Sequence, residues 1–175
     1  MTRYKVTIEY LGTHYSGFQI QKDQKTIASC LHKAIEAFAH EPVKVICSGR
    51  TDAGVHALGQ VIHFDLESLF SPYKIISATN HHLRGEEISV INCEIVDNNF
   101  DARRSAISRH YEYHILNRKT KSAVFKQLTG WVRDDLDYKL MHEAAQYLVG
   151  EHDFSSFRDS ECQAKQAIRN LDSIN

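Results

Sequence analysis

The chain lacks the features that would place it outside the ordinary globular proteins. It has only two prolines and eight glycines among 175 residues, which excludes collagen-like and disordered classes. No apolar run is long enough to cross a bilayer, and the N-terminus leads into a strand pattern without the apolar region of a signal peptide. Hydrophobic residues make up 42% of the chain, which is enough for a core. We therefore expect a soluble, cytoplasmic protein with one large or two small domains.

Metal-site and disulfide patterns are also missing from the sequence. The four cysteines, at positions 30, 47, 93 and 162, include no C-x-x-C pair, so we expect all of them to be reduced. Eleven histidines are present, but H-x-x-x-H spacing with an acidic third ligand on a predicted helix does not appear convincingly. We therefore expect no metal site.

The balance of charge is near neutral, with one basic stretch. A net charge of −1 argues against a protein whose whole surface coats nucleic acid. Between residues 101 and 126, however, seven Lys or Arg residues stand against two acids. Such a run is usually a solvated face, so it supports an RNA partner only alongside other evidence.

Hydrophobic periodicity predicts an α/β unit in the first part of the chain. Its predicted strands cover 2–10, 43–48, 59–66 and 88–96, and its predicted helices cover 26–40 and a segment that starts at 71. The resulting order, strand-helix-strand-strand-helix-strand, is that of a ferredoxin-like (RRM-like) unit. The open sheet face of such units often binds single-stranded RNA.

A second unit is predicted to follow the first. We predict a long strand over 106–116, a helix over 138–149 that ends at Gly150, and a strand over 167–175. The expected fold is α+β, with domains 1–104 and 105–175 whose ferredoxin-like units form one continuous mixed or antiparallel sheet with helices on one face. Because a domain rarely ends inside a strand, we expect the second unit to be incomplete and the sequence to be a fragment.

The segment S-G-R-T-D-A-G-V-H-A-L-G-Q, residues 48–60, lies on a loop between two predicted strands. Asp52 stands among three glycines, with Arg50 before it and His56 after it. A loop held by a rigid sheet is a common place for catalytic residues. T-D-A-G is also ordinary turn sequence, in which Asp bonds its own backbone and Gly takes a positive φ. The residues alone favour the turn and leave catalysis open.

The string G-R-T-D-A-G-V-H-A resembles the signature of the anticodon-arm tRNA pseudouridine synthases, the TruA family. Further family motifs follow in order: G-x-x-Y-x-G-F-Q-x-Q at 12–21, F-D-A-R at 100–103, R-H-Y-E-Y at 109–113 and G-E-H-D-F at 150–154. The resemblance implies an isomerase without a cofactor, which converts uridines 38 to 40 of the tRNA anticodon stem-loop into pseudouridine. It also implies a homodimer that binds tRNA.

The resemblance assigns roles around the reacting nucleotide. It makes Asp52 the catalytic nucleophile or base, either through a covalent adduct with the sugar or through removal of the 2′ proton in a glycal route. Arg50 is expected to keep this carboxylate charged in a water-poor pocket. Tyr111 corresponds to the family's active-site tyrosine, which stacks on the target base, although its strand pattern alone favours a core position.

Other positions are expected to support the site or to bind substrate. Four are expected to contact the RNA: Arg103, Lys165, Phe18 and Gln19. We expect Tyr15 and Phe18 to be exposed on their loop. The residues alone favour a lid over the core, and contact with RNA bases is the alternative. His56 is expected to brace the loop through a hydrogen bond, and Cys162 to be structural.

The sequence also departs from the family. Residues 164–168 lack the proline usual after the lysine, residues 81–85 replace an L-L-P-like turn, and the family's C-terminal part is missing. In the family that part supplies further sheet, dimer contacts and a site arginine. The alternative is therefore an RNA-binding module that retains the platform but is inactive.

Overall fold

The computed structural model of the chain describes residues 1–158 and 166–175. Contacts within the chain divide it into an N-terminal unit, Met1–Tyr111, and a C-terminal unit, Glu112–Asn175. The described residues form an α+β fold with three α-helices, one four-stranded sheet and two two-stranded sheets. No helix among them is long and apolar enough to cross a membrane. The domain division after residue 104 stays a prediction.

The N-terminal unit is built around strand β1 (Thr2–Tyr10). The elements that follow are listed in chain order: α1 (Ile27–Ala39), β2 (Ile46–Cys47), β3 (Ala57–Leu66), α2 (Pro72–His82) and β4 (Ile88–Val96). The strands lie in the order β2-β3-β1-β4, and every neighbouring pair is antiparallel. The predicted order of strands and helices in this part of the chain is therefore confirmed, although β2 is shorter than expected.

Both helices of this unit pack on the same face of the sheet. Tyr4, Val6 and Ile8 alternate along β1 and are buried in one cluster with residues of α1 and α2. Burial of each large apolar side chain contributes about 1.5–3 kcal/mol to folding. The outward side chains of β1, between these positions, keep partial contact with solvent. Alternation in the sequence therefore sets which face the helices cover.

The starts of the helices follow the capping rules. The Thr26 side chain accepts a hydrogen bond from the Ser29 backbone N–H, and the Ser29 hydroxyl accepts one from the Thr26 N–H, which forms a capping box at α1. Ser71 caps α2, with Pro72 in the first turn, as the sequence predicts. Each helix therefore begins where a polar side chain replaces the missing backbone acceptor.

The predicted strand over 106–116 is wrong. Only Ile115–Asn117 (β5) is a strand there, and it pairs in parallel with Gly130–Val132 (β6). Residues 106–114 form no regular structure. Alternation of apolar and polar residues specifies a strand only when a neighbouring strand supplies the hydrogen bonds, and no described strand pairs with this segment. Tyr111 is consequently 81% exposed and does not lie in a core.

The rest of the C-terminal unit is a short helix and a two-stranded ribbon. Asp137 caps α3 (Tyr138–Gln146) by accepting from two backbone N–H groups. Strands β7 (Gly150–Asp153) and β8 (Ile168–Leu171) pair antiparallel. Gly150, with φ of +105°, opens β7 and does not cap the helix, which corrects the expected boundary. The strands of the described residues form three separate sheets, so the expected single continuous sheet is also wrong for them.

Candidate active site

The Asp52 loop is a tight turn between β2 and β3. The Val55 N–H donates to the Asp52 carbonyl at 3.2 Å, and Gly54 takes a φ of +80°. Because L-residues rarely adopt this conformation, the glycine allows the turn to close. The ordinary turn chemistry of T-D-A-G is therefore present, and the turn projects the Asp52 side chain into solvent.

Hydrogen bonds from β3 fix the first part of this loop. The Gln60 side chain accepts from the Ser48 hydroxyl at 2.6 Å and donates to the Gly49 carbonyl at 2.6 Å. Gln60 is buried, so both of its bonds form away from water, where an unpaired amide would be costly. The sequence-based predictions do not include this residue. The signal that could have identified it is a polar side chain in line with the apolar inward positions of β3, at residues 62, 64 and 66.

The glycine-containing loop Gly12–Phe18 clamps the Asp52 turn from the other side. The Phe18 N–H donates to the Thr51 carbonyl at 2.9 Å, and the Gly12 N–H donates to His56 Nδ1 at 3.0 Å. The expected bracing role of His56 is thus confirmed. A Cβ atom on Gly12 would lie 2.0 Å from the Val55 carbonyl oxygen. The two loops therefore touch through backbone atoms, and only glycine permits this approach.

Aromatic residues pack against the place where the Gly12–Phe18 loop contacts the Asp52 turn. The Tyr10 hydroxyl and the Thr51 hydroxyl are 2.8 Å apart, and the Tyr10 ring packs 6.4 Å from the Phe18 ring. Tyr15 and Phe18 are 4% and 3% exposed, so their expected exposure is wrong, whereas the lid over the core that the residues alone favour is confirmed. Both rings point inward because the loop folds back over the core. Gln19, directly after Phe18, is exposed.

Arg109 links the Tyr111 segment to the Asp52 loop. Its Nη2 donates to the Ser48 carbonyl at 2.7 Å, and its Nε lies 3.4 Å from where a Cβ on Gly49 would be. This contact places Tyr111, two residues further on, in a segment attached to the Asp52 loop. The sequence motif contains Arg109, but its spacing gives no sign that the guanidinium reaches a backbone carbonyl 61 residues earlier in the chain.

The turn that presents Arg103 is fixed at its backbone. The Asp101 carboxylate accepts from the N–H groups of Arg104 and Arg103, which lowers the pKa of Asp101. Buried His63 accepts from the Ala102 N–H at 3.0 Å, and burial lowers the pKa of His63. The Arg103 side chain is exposed. The fixed turn therefore leaves its guanidinium available to a ligand.

The guanidinium groups of Arg50 and Arg103 act on the same part of the sheet. Burial raises the pKa of the Cys47 thiol, while the positive charges of both arginines oppose that rise. Both side chains are exposed. Both arginines are therefore exposed cations that can attract an anionic ligand.

Asp52 is exposed, so the expected water-poor pocket around it is not formed by the described residues. The pairing of Arg50 with Asp52 stays a prediction. Lys165 and Cys162 lie outside the described residues. Within 1–158 and 166–175, no three His, Cys, Asp or Glu side chains come together in a way that could hold a metal ion.

The arrangement is thus a carboxylate on a rigid turn, open on its outer side and flanked by cations. A carboxylate can act as a nucleophile toward a sugar carbon or as a base when a ligand covers it and excludes water. Backbone clamping keeps such a group in place before the ligand arrives, which limits the ordering that binding must supply.

Comparison with known proteins identifies the family. A sequence model described as tRNA pseudouridine synthase matches residues 6–103 and 144–175. The tRNA pseudouridine synthase A of Neorickettsia sennetsu is 50% identical over 173 residues, which cover 98% of this chain and 71% of that protein. The protein of the same name from Methylobacterium nodulans is 48% identical over 174 residues, or 99% of this chain and 68% of its own length. The chain therefore belongs to the tRNA pseudouridine synthase family.

Proposed function

We propose that this chain is a tRNA pseudouridine synthase that isomerises uridines 38 to 40 in the anticodon stem-loop, with Asp52 as the catalytic nucleophile or base. The observation that carries the proposal is the similarity to proteins named tRNA pseudouridine synthase A over 98% and 99% of this chain. The matched region includes the G-R-T-D-A-G string of the Asp52 turn. Fold alone would not support an activity, because one fold hosts many functions.

The reaction rearranges atoms that are already present in the nucleotide. The N1–C1′ bond breaks, the base turns over, and C5 bonds to C1′, after which the C5 proton leaves to solvent and N1 gains a proton. No oxidant, reductant or group donor is consumed, so the proposed reaction needs no cofactor. Asp52 either attacks C1′ and is later displaced, or removes the 2′ proton; both routes require an ionised carboxylate beside the ribose.

The exposure of Asp52 fits a substrate that itself excludes water from the carboxylate. A uridine in an RNA stem has to be extruded before its sugar reaches a protein carboxylate, which costs a few kcal/mol. Once extruded, the nucleotide excludes water from the outer side of the turn, and the lower local dielectric strengthens the attraction between Arg50 and Asp52. The water-poor environment is thus a property of the complex.

Three exposed side chains are suited to the rest of the substrate. Tyr111 presents a free ring face on which a base can stack, and aromatic stacking contributes about 1–3 kcal/mol per base. Arg103 projects from a fixed turn and is suited to a phosphate. Gln19, beside the clamp, can donate and accept hydrogen bonds at a base edge. Buried Phe18 supports the Asp52 turn through its backbone hydrogen bond to Thr51. For Lys165 we propose a phosphate contact, which rests on the family resemblance alone.

The proposal extends to the architecture and the assembly. Antiparallel strands in the order β2-β3-β1-β4, with α1 and α2 on one face, support a ferredoxin-like N-terminal domain over 1–104. We propose a second ferredoxin-like unit over 105–175, a homodimer as the functional form, and the cytoplasm as the location, where tRNA is available.

Release of tritium from tRNA that carries [5-³H]uridine tests the activity, because the C5 hydrogen leaves only when C5 forms its new bond. The unsubstituted chain is expected to release tritium, and Asp52→Asn to release none while it still binds tRNA. Asp23→Asn is the matched control, since Asp23 is another exposed aspartate, on a separate turn, and should react normally. Binding of tRNA without any release by the unsubstituted chain would favour the inactive RNA-binding module. Full release by Asp52→Asn would contradict the role of Asp52.

A further inference from the structure

A polar cluster of Tyr15, Lys25 and Glu86 joins the Gly12–Phe18 loop to residues outside it, and of these three side chains only Tyr15 is buried. The Tyr15 hydroxyl donates to the Glu86 carboxylate at 2.7 Å and accepts from the Glu87 backbone N–H at 2.9 Å. Lys25 lies 2.6 Å from the same carboxylate oxygen and 5.1 Å from the centre of the Tyr15 ring. The Tyr15 side chain is almost fully buried, so these bonds hold one loop residue in a defined position.

The charges in the cluster favour a strong hydrogen bond at neutral pH. Burial acts to raise the pKa of Glu86, but the bonds and charge from Lys25 and the bond from Tyr15 outweigh it, and the pKa is lowered. Burial also raises the pKa of Tyr15. Glu86 is therefore an ionised acceptor and Tyr15 a protonated donor, and such charge-assisted bonds are stronger than neutral ones.

The backbone carries this restraint to the catalytic turn. Tyr15 donates its N–H to the Gly12 carbonyl, and the Gly17 carbonyl accepts from the Ile27 N–H at the start of α1. Within the same loop, the Gly12 N–H binds His56 and the Phe18 N–H binds Thr51. Tyr15 lies between these two contacts in sequence. A shift of the Tyr15 side chain is therefore passed along the loop backbone to the Gly12 and Phe18 N–H groups, which bind the Asp52 turn.

We propose that Tyr15 and Glu86 are positioning residues. They fix the Gly12–Phe18 loop against the Asp52 turn and so hold the catalytic carboxylate in the position that the substrate requires. The inference rests on the proposed function for its effect on catalysis, but its effect on the turn can be measured without any activity. Neither side chain has to touch the RNA.

Hydrogen exchange tests the geometry in the intact chain. Tyr15→Phe keeps the buried ring but removes the hydroxyl, so it should fold. Glu86→Ala is a second variant that removes the acceptor and leaves the tyrosine. Both should speed exchange at the Phe18 and Val55 amides, which donate to Thr51 and Asp52. Tyr73→Phe removes an exposed hydroxyl from α2 and should leave these rates unchanged. Unchanged exchange at both amides in the two cluster variants overturns the proposal, whether or not the chain is active.

Steady-state kinetics then separate positioning from binding and from stability alone. At a temperature where every variant is folded, we expect Tyr15→Phe and Glu86→Ala to lower kcat about tenfold with an unchanged KM for tRNA. The double variant should lose no more than either single one, because the two residues act as a unit. A raised KM with normal kcat would indicate an RNA contact, and a lowered Tm with normal kcat a structural role alone; either result refutes the proposal. If the unsubstituted chain releases no tritium, the proposed function fails, and the exchange rates still decide the positioning.

Discussion

Substitution of Gly12 by alanine tests the contact between the two loops of the site. The added Cβ would lie 2.0 Å from the Val55 carbonyl oxygen, whereas a carbon and a carbonyl oxygen normally approach to about 3.3 Å. The two atoms therefore have to separate by about 1.3 Å. Because both are backbone atoms or fixed to backbone, no side chain can rotate to relieve the clash, and one of the two loops has to move against the other.

The size of this movement gives the expected loss of activity and of stability. A misplacement of about 1 Å at a reacting group can cost about 100-fold in rate, so Gly12→Ala should lower kcat for tritium release by about that factor. The same overpacking should reduce the free energy of unfolding by about 1–3 kcal/mol. Initial rates of release and urea unfolding followed by circular dichroism measure the two effects.

Gly59→Ala is the matched control for this experiment. Gly59 lies in β3, its φ needs no glycine, and a Cβ there would meet nothing within 4 Å. The control should retain normal kcat and stability. If Gly12→Ala turns over tRNA at the normal rate, the Gly12–Phe18 loop does not hold the Asp52 turn, and the reasoning from backbone contact to catalysis is refuted.

Three further outcomes are expected. Gly54→Ala, at φ of +80°, should cost about 1–2 kcal/mol of stability in urea unfolding; an unchanged midpoint would show that the turn relaxes freely. Arg3→Lys removes two parallel hydrogen bonds to Asp65 and should lower the free energy of unfolding by about 1–2 kcal/mol in urea unfolding, and an unchanged value would contradict a structural role for this pair. Burial lowers the pKa of His63 from 6.5, so the unfolded chain binds a proton first and the free energy of unfolding should fall as pH drops below that value. His63→Asn, which can still accept from Ala102, should flatten this decline, and an equally steep one would exclude His63 as its source.

The fold of the N-terminal unit could be predicted because its signals are local and mutually consistent. Alternation along residues 2–10 identifies the central strand, and Thr26 and Ser71 mark the helix starts. The same reasoning failed at 106–114, where an alternating pattern remains unpaired among the described strands. Pairing is a long-range property, and periodicity within one segment contains no information about it.

The sequence indicated candidate residues of the site but not the contacts that hold them in place. The signature indicated Asp52 and Arg50, and a bracing role was expected for His56 because the family gives it no acid or base role. Burial of Phe18 was missed because glycines and glutamines around an aromatic suggest an exposed loop, whereas this loop folds back over the core. Arg109 was missed for a related reason: its partner is a backbone carbonyl, which every residue has and no sequence pattern marks.

Position-resolved mapping of pseudouridine in tRNA tests the central claim most directly, because the isomer has the same mass as uridine and must be located chemically. Carbodiimide modification followed by primer extension on a tRNA transcript reports each modified nucleotide. We predict stops for uridines 38 to 40 after incubation with the unsubstituted chain and none after incubation with Asp52→Asn. Equal stops with both proteins, or stops elsewhere in the tRNA, would contradict the assignment of Asp52 as the catalytic carboxylate for the anticodon arm.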